Sequence, residues 1–219
     1  MKKAVICFTR VPKPGFTKTR LLGLLTPQQC ARVHRAFLRD LAQVYSQVSA
    51  DLFIAHTPDP DWDELKCLFP AASGFFPQEG DDLGEKMHHA LCQVFSMGYD
   101  MAILTGADLP LLTPGHLHSG FEALETAEIT IGPTPDGGYY LIGMKQPHEE
   151  IFHVPSYGGA TVFENTIAAI EAAGLSVCAA LPCGDVDTAE DLRELYRQIH
   201  PDSATGRCLR EFLKEGIIL

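Results

Sequence analysis

The sequence has no long apolar run and an excess of acidic over basic residues. No stretch approaches the roughly 18 apolar residues that a membrane-spanning helix needs. The 17 Lys and Arg residues stand against 28 Asp and Glu residues, which gives a net charge of −11 and argues against a general nucleic-acid groove. One phosphorylated ligand is still compatible with this charge, because a metal ion and a few basic residues can supply local positive charge. We expect no nucleic-acid partner and no membrane span.

Paired cysteine spacings are also missing. The seven cysteines are odd in number and none forms a CxxC pair, so we expect neither a disulfide framework nor a zinc site. Reduced thiols in a cytoplasmic protein are the simplest interpretation. The apolar run at residues 4–8 breaks at Thr9-Arg10 and is too short for the core of a secretion signal. The sequence therefore predicts a cytoplasmic location.

Short apolar runs alternate with segments of helical periodicity along the 219 residues. The order β-α-β-α-β-α-β-β-α-β-α predicts a mostly parallel mixed sheet with helices on both faces, a three-layer α/β/α sandwich. The stretch 58–82 is predicted to be mostly loop, because it contains four prolines. The predicted strands are residues 4–8, 51–57, 101–106, 128–133, 139–144 and 175–181. A chain of this length suits one domain, and ligands of such folds bind beyond the carboxyl ends of the strands.

The loop after the first predicted strand is RVPKPGFTKTR at 10–20. Loops at strand ends that bring glycine, backbone N–H groups and cations together suit phosphate binding. A solvated basic loop is the alternative, and the P-loop pattern GxxxxGK(S/T) is absent. The candidate nucleotide- or phosphate-binding residues in this loop are Arg10, Lys13, Gly15, Lys18 and Arg20.

An aspartate, Asp108, stands just beyond the continuous apolar run MAILTG at 101–106. Such a run predicts a strand that is buried on both faces, which would place Asp108 at the ligand edge of the sheet. Carboxylate oxygens there suit Mg²⁺ or Mn²⁺, which take one or two carboxylates together with substrate phosphates and water. A turn or helix-capping aspartate near Pro110 is the alternative.

The segment TPDGGYY at 134–140 joins two predicted strands. Its Asp-Gly-Gly sequence is first of all a turn signal, but adjacent glycines also let a ligand approach the backbone closely. Asp136 could accept hydrogen bonds from sugar hydroxyls or act as a catalytic base. Gly137, Gly138 and Tyr139 are the candidate substrate-binding residues. A plain hairpin turn is the alternative.

Acidic residues also stand at the start of two predicted helices. In DVDTAEDL at 185–192, Asp187 precedes a helix that Thr188 caps, and it could be a second metal carboxylate; Asp185 is the less expected ligand. In GDDLGEKM at 80–87, Asp82 is a candidate for the nucleotide-binding site. For both helices, attraction of an acid to the positive helix N-terminus is a sufficient alternative.

Five segments, taken together and in order, resemble a known family. They are FTRVPKPGFTKTRL (8–21), GDDLGEKM (80–87), LTGADLPLLTP (104–114), GPTPDGGYYLIG (132–143) and DVDTAEDL (185–192). They are similar to the bacterial selenodomain-associated or arsenosugar-biosynthesis transferase-like family of the nucleotide-diphospho-sugar transferase superfamily. The match covers nearly the whole chain and implies one domain of the GT-A fold over residues 1–219.

The resemblance also implies roles for particular residues. Asp108 takes the place of the metal-binding aspartate of a DxD-type element, although Gly106 stands where the first aspartate would be. Asp187 takes the place of a second metal ligand in related sugar-nucleotide synthetases, and KTRL (18–21) is similar to the phosphate-binding loop of guanylyltransferases in the superfamily. Segment 155–161 departs from the family pattern, so we expect either that acceptor recognition differs there or that this segment has no function.

Three functions follow from these features. The leading hypothesis is glycosyl transfer from a nucleotide-diphosphate sugar, with Mg²⁺ or Mn²⁺ on Asp108 and Asp187 as a Lewis acid. The alternative is nucleotidyl transfer from a nucleoside triphosphate, which releases pyrophosphate. The third is a nucleotide-binding module without turnover. The expected ligands are a nucleotide sugar or a nucleoside triphosphate, plus a small-molecule acceptor, and a homodimer is compatible with the sequence.

Overall fold

The apolar runs of the sequence form one seven-stranded sheet with helices on both faces. The structure, a computed structural model, describes residues 1–155, 157 and 159–219. The strands are β1 (Lys3–Thr9), β2 (Asp51–His56), β3 (Gly74–Pro77), β4 (Met101–Thr105), β5 (Ile129–Pro133), β6 (Tyr139–Met144) and β7 (Val177–Ala179). The α-helices are α1 (Pro27–Tyr45), α2 (Asp63–Leu68), α3 (Leu83–Ser96), α4 (Pro114–Thr126), α5 (Val162–Ala172), α6 (Ala189–Gln198) and α7 (Ala204–Lys214).

The strand order is β3-β2-β1-β4-β6-β5-β7. Strand β1 is parallel to both of its neighbours, β2 and β4, and β2 is parallel to β3. Strand β6 runs antiparallel to β4 and β5, whereas β7 is parallel to β5. This confirms the predicted mostly parallel mixed sheet. The carboxyl ends of all these strands except β6 therefore lie at one edge of the sheet, together with the first residues of β6.

Alternate side chains of β1 enter two separate cores. Val5 and Cys7 pack with apolar residues of α1, α2 and α4, whereas Ala4 and Ile6 pack with residues of α3 and α5 on the opposite face. A third apolar cluster joins α1 to α6 and α7 outside the first helix layer. Because both faces of the sheet are covered, its strands are continuous apolar runs. The architecture is the predicted three-layer α/β/α sandwich.

The prediction of a loop over 58–82 was wrong in part, because this stretch contains α2 and β3. Helix α2 fits between Pro60 and Pro70 and buries Leu65 in the core. Strand β3 is an edge strand, and Pro77 is its last residue. Proline is tolerated on edge strands, so four prolines did not prevent two short elements.

Helix ends follow the local sequence signals. The hydroxyl of Thr26 accepts the backbone N–H of Gln29, whose side chain accepts the N–H of Thr26 at 2.9 Å, so the predicted capping box opens α1.

In segment 155–161, Ser156 and Gly158 lie outside the described residues. Within the part of the chain that the structure describes, no helix is both long enough and apolar enough to cross a bilayer. The single domain over 1–219, the homodimer and the cytoplasmic location remain predictions.

Candidate active site

A cavity of about 440 Å³ opens at the carboxyl edge of the sheet, between the loops that follow β1, β4 and β7. It lies beyond the carboxyl end of β1, which has β2 on one side and β4 on the other. Open α/β sheets bind ligands at such a switch point, where the strand order reverses. Its walls include Arg10, Lys18, Arg20, Asp108, Tyr139 and Asp187. The fold therefore brings together six of the predicted site residues from distant parts of the chain.

The Lys18 ammonium, on the loop after β1, contacts the loop after β4 and the segment after β7. Its Nζ lies 2.7 Å from Asp108 Oδ1 and 3.5 Å from Asp187 Oδ1, and it donates a hydrogen bond to the Val186 carbonyl at 2.5 Å. The side chain is only 3% exposed, although both aspartates are partly open to solvent. A buried ammonium needs such partners, because burial without them is costly. Lys18 is thus the central cation of the site.

The backbone at Lys18 is held in a left-handed conformation. Its φ of 50° is the one positive value for a non-glycine residue in the described ranges, and this conformation costs about 1–2 kcal/mol in an L-residue. The hydroxyl of the preceding Thr17 lies 2.6 Å from His34 Nδ1 on α1. This contact anchors the loop and aims the Lys18 side chain at the carboxylates. Local strain of this kind is characteristic of functional loops.

His34 makes the stability of the protein dependent on pH. Burial lowers the pKa of His34 from 6.5 to about 4, because the imidazolium would lose its hydration. The unfolded chain binds this proton near pH 6.5 and the folded protein does not, so the free energy of unfolding should fall as the pH drops from about 6.5 to about 4. At about 1.4 kcal/mol per pKa unit, the loss is about 3 kcal/mol. Urea unfolding across this range should show a flatter profile for His34→Gln, and identical profiles would contradict the assignment.

Asp108 lies directly beyond β4, as predicted. Its carbonyl accepts the backbone N–H of Val186 at 2.9 Å, which fastens the loop after β4 to the segment after β7. Burial alone would raise the pKa of the Asp108 carboxyl, but the Lys18 ammonium and other nearby cationic groups outweigh it and hold that pKa below its ordinary value. Asp108 is therefore a carboxylate at neutral pH.

Thr188 and Asp191, and not Asp187, form the capping box that opens helix α6. The Asp191 carboxylate accepts the backbone N–H groups of Asp187 at 3.1 Å and of Thr188 at 2.7 Å. The Asp187 carboxylate instead accepts a hydrogen bond from the Arg20 guanidinium at 2.9 Å and lines the cavity. The Asp187 carboxylate therefore contacts Arg20 and the cavity, and its position directly before Thr188 also agrees with the alternative, attraction to the positive helix N-terminus.

The two carboxylates that contact Lys18, those of Asp108 and Asp187, fit a particular kind of cation site. Asp108 and Asp187 approach the same ammonium, so their oxygens converge. Within the described ranges, no group of three or more His, Cys, Asp or Glu side chains is arranged to hold a metal ion. Mg²⁺ commonly takes one or two carboxylates and completes its coordination with substrate phosphates and water. The residues present therefore fit a cation that arrives with a phosphate ligand and do not fit an all-protein metal cage.

Three predicted phosphate- or nucleotide-binding residues do not line the cavity. The Lys13 ammonium lies 2.6 Å from a carboxylate oxygen of Asp59. Gly15 has a φ of 82° in the same loop. Asp82 caps α3 through its carboxylate and lines a different cavity. For Asp82, the helix-capping explanation accounts for the observed contact.

A second cavity of about 300 Å³ adjoins the first and shares Tyr139 and Asp187 with it. Asp136 and Gly138 of the turn before β6 line this second cavity. The Thr134 hydroxyl and the Gly138 N–H both donate to Asp136 Oδ1. Asp136 therefore stabilises its own turn, as the hairpin alternative proposed, and also faces the cavity.

Gly137 does not line either cavity, but the turn requires it. Its φ is 88°, and a Cβ there would overlap the carbonyl oxygen of Ala160. We expect Gly137→Ala to lose about 1–2 kcal/mol from the left-handed backbone and about 1–3 kcal/mol from the overlap. Gly174→Ala is the matched control, because Gly174 has a φ of 73° and open space around it. Urea unfolding should show the larger loss at Gly137, and equal losses would contradict a role for the Ala160 contact.

Asp185 lines both cavities, although the sequence favoured its neighbour Asp187 as a ligand. Burial, together with the nearby Asp187 and Asp136 carboxylates, raises the pKa of Asp185 to about 6. The sequence Asp-Val-Asp at 185–187 indicated both aspartates as candidate ligands. Only the tertiary structure shows that Asp185 faces the junction of the two cavities.

Gln78 also lines the first cavity, although no motif in the sequence indicated it as a site residue. Its side-chain amide donates to the backbone carbonyls of Thr9 at 2.9 Å and of Ala55 at 3.0 Å, at the ends of β1 and β2. Both amide hydrogens are thereby used. The Gln78 carbonyl oxygen accepts a hydrogen bond from the Thr57 hydroxyl at 3.4 Å, and its second lone pair is left as an acceptor.

Comparison with known proteins places the chain in a family. The family model described as "Uncharacterized protein conserved in bacteria (DUF2064)" matches residues 40–158. A protein from Desulfovibrio desulfuricans G20, provisionally named a nucleotide-diphospho-sugar transferase, has a crystal structure that superposes with a TM-score of 0.90. It is 33% identical, and the alignment covers 98% of this chain and 96% of that one. The nucleotide-diphospho-sugar transferase fold that the resemblance implied is confirmed.

Two curated relatives carry the name 2-phospho-L-lactate guanylyltransferase. The protein from Methanocella arvoryzae is 24% identical over 95% of this chain and 85% of its own length. The protein from Methanothermobacter thermautotrophicus is 26% identical over 94% of this chain and 88% of its own length. The family model spans more than half of the chain, and the Desulfovibrio protein is similar over nearly all of it, so this chain belongs to the DUF2064 family of bacterial proteins.

Proposed function

We propose that this protein is a nucleotidyltransferase that moves a nucleoside monophosphate unit from a nucleoside triphosphate to a phosphorylated small molecule. The observation that carries the proposal is the convergence of Lys18, Asp108 and Asp187 on one cavity at the switch point of the sheet. Lys18 belongs to the KTRL segment that resembles a guanylyltransferase phosphate loop. The guanylyltransferase names of the two curated relatives support the same chemistry.

The proposed reaction is an in-line displacement. An oxygen of the acceptor phosphate attacks the α-phosphorus, the bond from the α-phosphorus to the bridging oxygen breaks, and pyrophosphate leaves with the electron pair. Negative charge grows on the leaving pyrophosphate. Lys18 and Arg20 lie at the cavity wall, where they can neutralise that charge. Because Arg20 is 68% exposed, its guanidinium has room to turn from Asp187 to a phosphate, which it can hold with two hydrogen bonds.

Asp108 and Asp187 would hold Mg²⁺ or Mn²⁺ jointly with phosphate oxygens of the substrate. A cation held there would act as a Lewis acid and stabilise the charge on the phosphates. The Lys18 ammonium now lies between the same two carboxylates. Lys18 would therefore leave them when the cation binds and donate to the phosphates instead.

Nucleotidyl transfer also changes the role we assign to Asp136. A phosphate nucleophile is ionised at neutral pH and has no proton to give up, so the reaction needs no catalytic base at this position. We assign Asp136 and Gly138 to acceptor binding, because both line the second cavity. Gln78 would accept a hydrogen bond from the nucleobase, since its carbonyl is fixed at the wall of the first cavity.

Glycosyl transfer, the leading hypothesis from the sequence, is now the second candidate. The provisional name of the Desulfovibrio relative favours it, and the same cations and carboxylates would stabilise a nucleoside diphosphate as the leaving group. The narrower assignment to the selenodomain-associated or arsenosugar-biosynthesis group remains a prediction.

The released product distinguishes the two reactions. The protein is incubated with each of GTP, CTP, UTP and ATP in Mn²⁺, together with a panel of phosphorylated acceptors, and pyrophosphate is measured. A parallel series supplies sugar nucleotides with neutral acceptors and measures free nucleoside diphosphate. We expect pyrophosphate from the triphosphate series and no nucleoside diphosphate above the rate without enzyme.

Two results would count against the proposal. Release of nucleoside diphosphate from a sugar nucleotide, without pyrophosphate in the first series, would establish glycosyl transfer instead. A rise in melting temperature with nucleotides, but no product in either series, would support a binding module. In that case Asp108→Ala would leave the biological role of the protein unchanged.

A further inference from the structure

His34 is a buried side chain at the wall of the first cavity, and the proposed reaction assigns it no role. It lies on α1 and is 2% exposed. Its two ring nitrogens contact opposite ends of the loop after β1. Nδ1 lies 2.6 Å from the Thr17 hydroxyl, and Nε2 lies 3.5 Å from the Thr9 hydroxyl. One imidazole therefore joins the last residue of β1 to the residue that precedes Lys18.

The partners of the two threonines indicate which ring nitrogen carries the proton. The Thr9 hydroxyl donates to the Arg10 carbonyl at 3.3 Å, so its oxygen is left to accept from His34. Among the residues that the structure describes, the Thr17 hydroxyl has no acceptor other than His34 Nδ1. Buried donors are nearly always paired, so Thr17 donates to Nδ1 and the Nε2–H group donates to Thr9. Burial lowers the pKa of His34 to about 4, so the neutral ring can accept at one nitrogen and donate at the other.

The Thr17 contact lies next to a residue with an unfavourable backbone. Lys18 has a φ of 50°, a left-handed conformation that is unfavourable for L-residues. Thr17 is 3% exposed and Leu21 is fully buried, so the segment is anchored on both sides of Lys18. In the proposed reaction the ammonium leaves Asp108 and Asp187 and donates to the phosphates. A side chain that serves two sets of partners in turn needs a backbone that stays in place.

We propose that His34, as the neutral Nε2–H tautomer, is a positioning residue of the transferase reaction and acts through the Thr17 hydroxyl to hold the Cα of Lys18 as a fixed pivot. The Lys18 ammonium then moves from the carboxylates to the leaving pyrophosphate without movement of the backbone. A displaced Cα would carry the ammonium away from both positions, and a misplacement of about 1 Å can cost about a hundredfold in rate. His34 touches no reacting atom in this scheme. This inference rests on the proposed function, since it names the residues that support the central cation of that reaction.

Thr17→Val removes the hydroxyl and keeps the branched shape of the side chain. We expect it to lower the rate of pyrophosphate release by about tenfold or more, because Lys18 loses its alignment with the leaving group. Thr17→Ser restores the hydroxyl and should recover most of the lost rate. Tyr45→Phe is the control, since it also removes a buried hydroxyl, which lies 2.7 Å from the Thr105 hydroxyl. Tyr45 does not line the cavity, so this variant should keep the wild-type rate.

A binding measurement tests the same role without turnover. Calorimetry with inorganic triphosphate in Mg²⁺ measures how tightly the cavity holds phosphates. Thr17→Val should weaken this binding by about tenfold in the wild-type background and by less than about twofold in the Lys18→Met background, because the hydroxyl acts through Lys18. Equal losses in the two backgrounds would assign Thr17 a purely structural role and overturn the inference. A wild-type protein that binds no triphosphate overturns it as well.

The ring of His34 provides a test on the wild-type protein alone. Two-bond ¹H–¹⁵N spectra at pH 7 should show the proton on Nε2, and a proton on Nδ1 would contradict the tautomer and the direction of the Thr17 hydrogen bond.

The positioning role and the reaction can fail separately. If no triphosphate yields pyrophosphate with any acceptor, nucleotidyl transfer is wrong, whatever the spectra and the binding show. Loss of triphosphate binding in Thr17→Val that depends on Lys18 would then still support His34 and Thr17 as the support of a phosphate-binding cation. A wild-type rate of pyrophosphate release in Thr17→Val would remove the positioning role and leave the reaction.

Discussion

Replacing Asp108 with Asn is expected to lower turnover by about 10²- to 10³-fold. A Lewis-acid cation contributes several kcal/mol to the stabilisation of phosphate charge, and each 1.4 kcal/mol, roughly, is a factor of ten in rate. Asn keeps the shape of Asp108 and can still accept a hydrogen bond from Lys18, which lies 2.7 Å away. The loss would therefore come from the missing charge and not from a collapsed site. The measurements are the rate of pyrophosphate release and its dependence on Mn²⁺ concentration.

Asp63→Asn is the matched control, because it removes an aspartate charge from an exposed ion pair on α2. It should leave turnover within about twofold of the wild type, as is usual for surface changes. An Asp108→Asn protein that keeps its wild-type rate, with an unchanged Mn²⁺ dependence, would remove Asp108 from the mechanism.

Asp187→Asn tests whether the site has one carboxylate or two. It should weaken metal-dependent nucleotide binding, since Asp187 is the second oxygen donor that approaches Lys18. Binding equal to that of the parent protein would make the two-carboxylate site wrong, and a site built on Asp108 alone would then be left.

Replacing Lys18 with Met should lower turnover by about 10²-fold or more, the cost typical of a lost charge-stabilising donor. At the same time, Mg²⁺ alone should raise the melting temperature of the variant more than that of the wild-type protein. The reason is competition: the Lys18 ammonium lies between the two carboxylates that would hold the cation. Without it, a cation can bind these carboxylates without displacing a side chain. The loss of intrinsic stability should be modest, because Asp108 and Asp187 are 42% and 36% exposed and water screens their charges.

Lys13→Met is the control for Lys18→Met, because it removes a cation from the same loop. Lys13 pairs with Asp59 and Asp61 and does not line the cavity. It should keep wild-type turnover and the wild-type response of the melting temperature to Mg²⁺. Equal responses to Mg²⁺ in all three proteins would show that Lys18 does not compete for the cation.

Local signals predicted most of the secondary structure, because they depend on neighbouring residues. Thr26 and Gln29 form a capping box that needs only four consecutive residues. The run at 101–106 is apolar at four of the five positions that become β4, and that strand is buried along its whole length. The loop over 58–82 was predicted wrongly, because an edge strand such as β3 is stabilised by pairing with β2. Pairing of this kind does not appear in local composition.

The sequence by itself determined which residue types stand beyond the strands: the cations after β1, Asp108 after β4 and Asp187 before α6. The tertiary structure alone decided which of them meet. Lys18 and Asp187 approach to 3.5 Å across 169 positions of the chain. They do so because β1 and β7 end at the same edge of the sheet and the segment after β7 is bonded at Val186 to the loop after β4. Lys13, only five residues from Lys18, forms an ion pair with Asp59 instead. Ion pairs depend on distances in space, and the fold sets those distances.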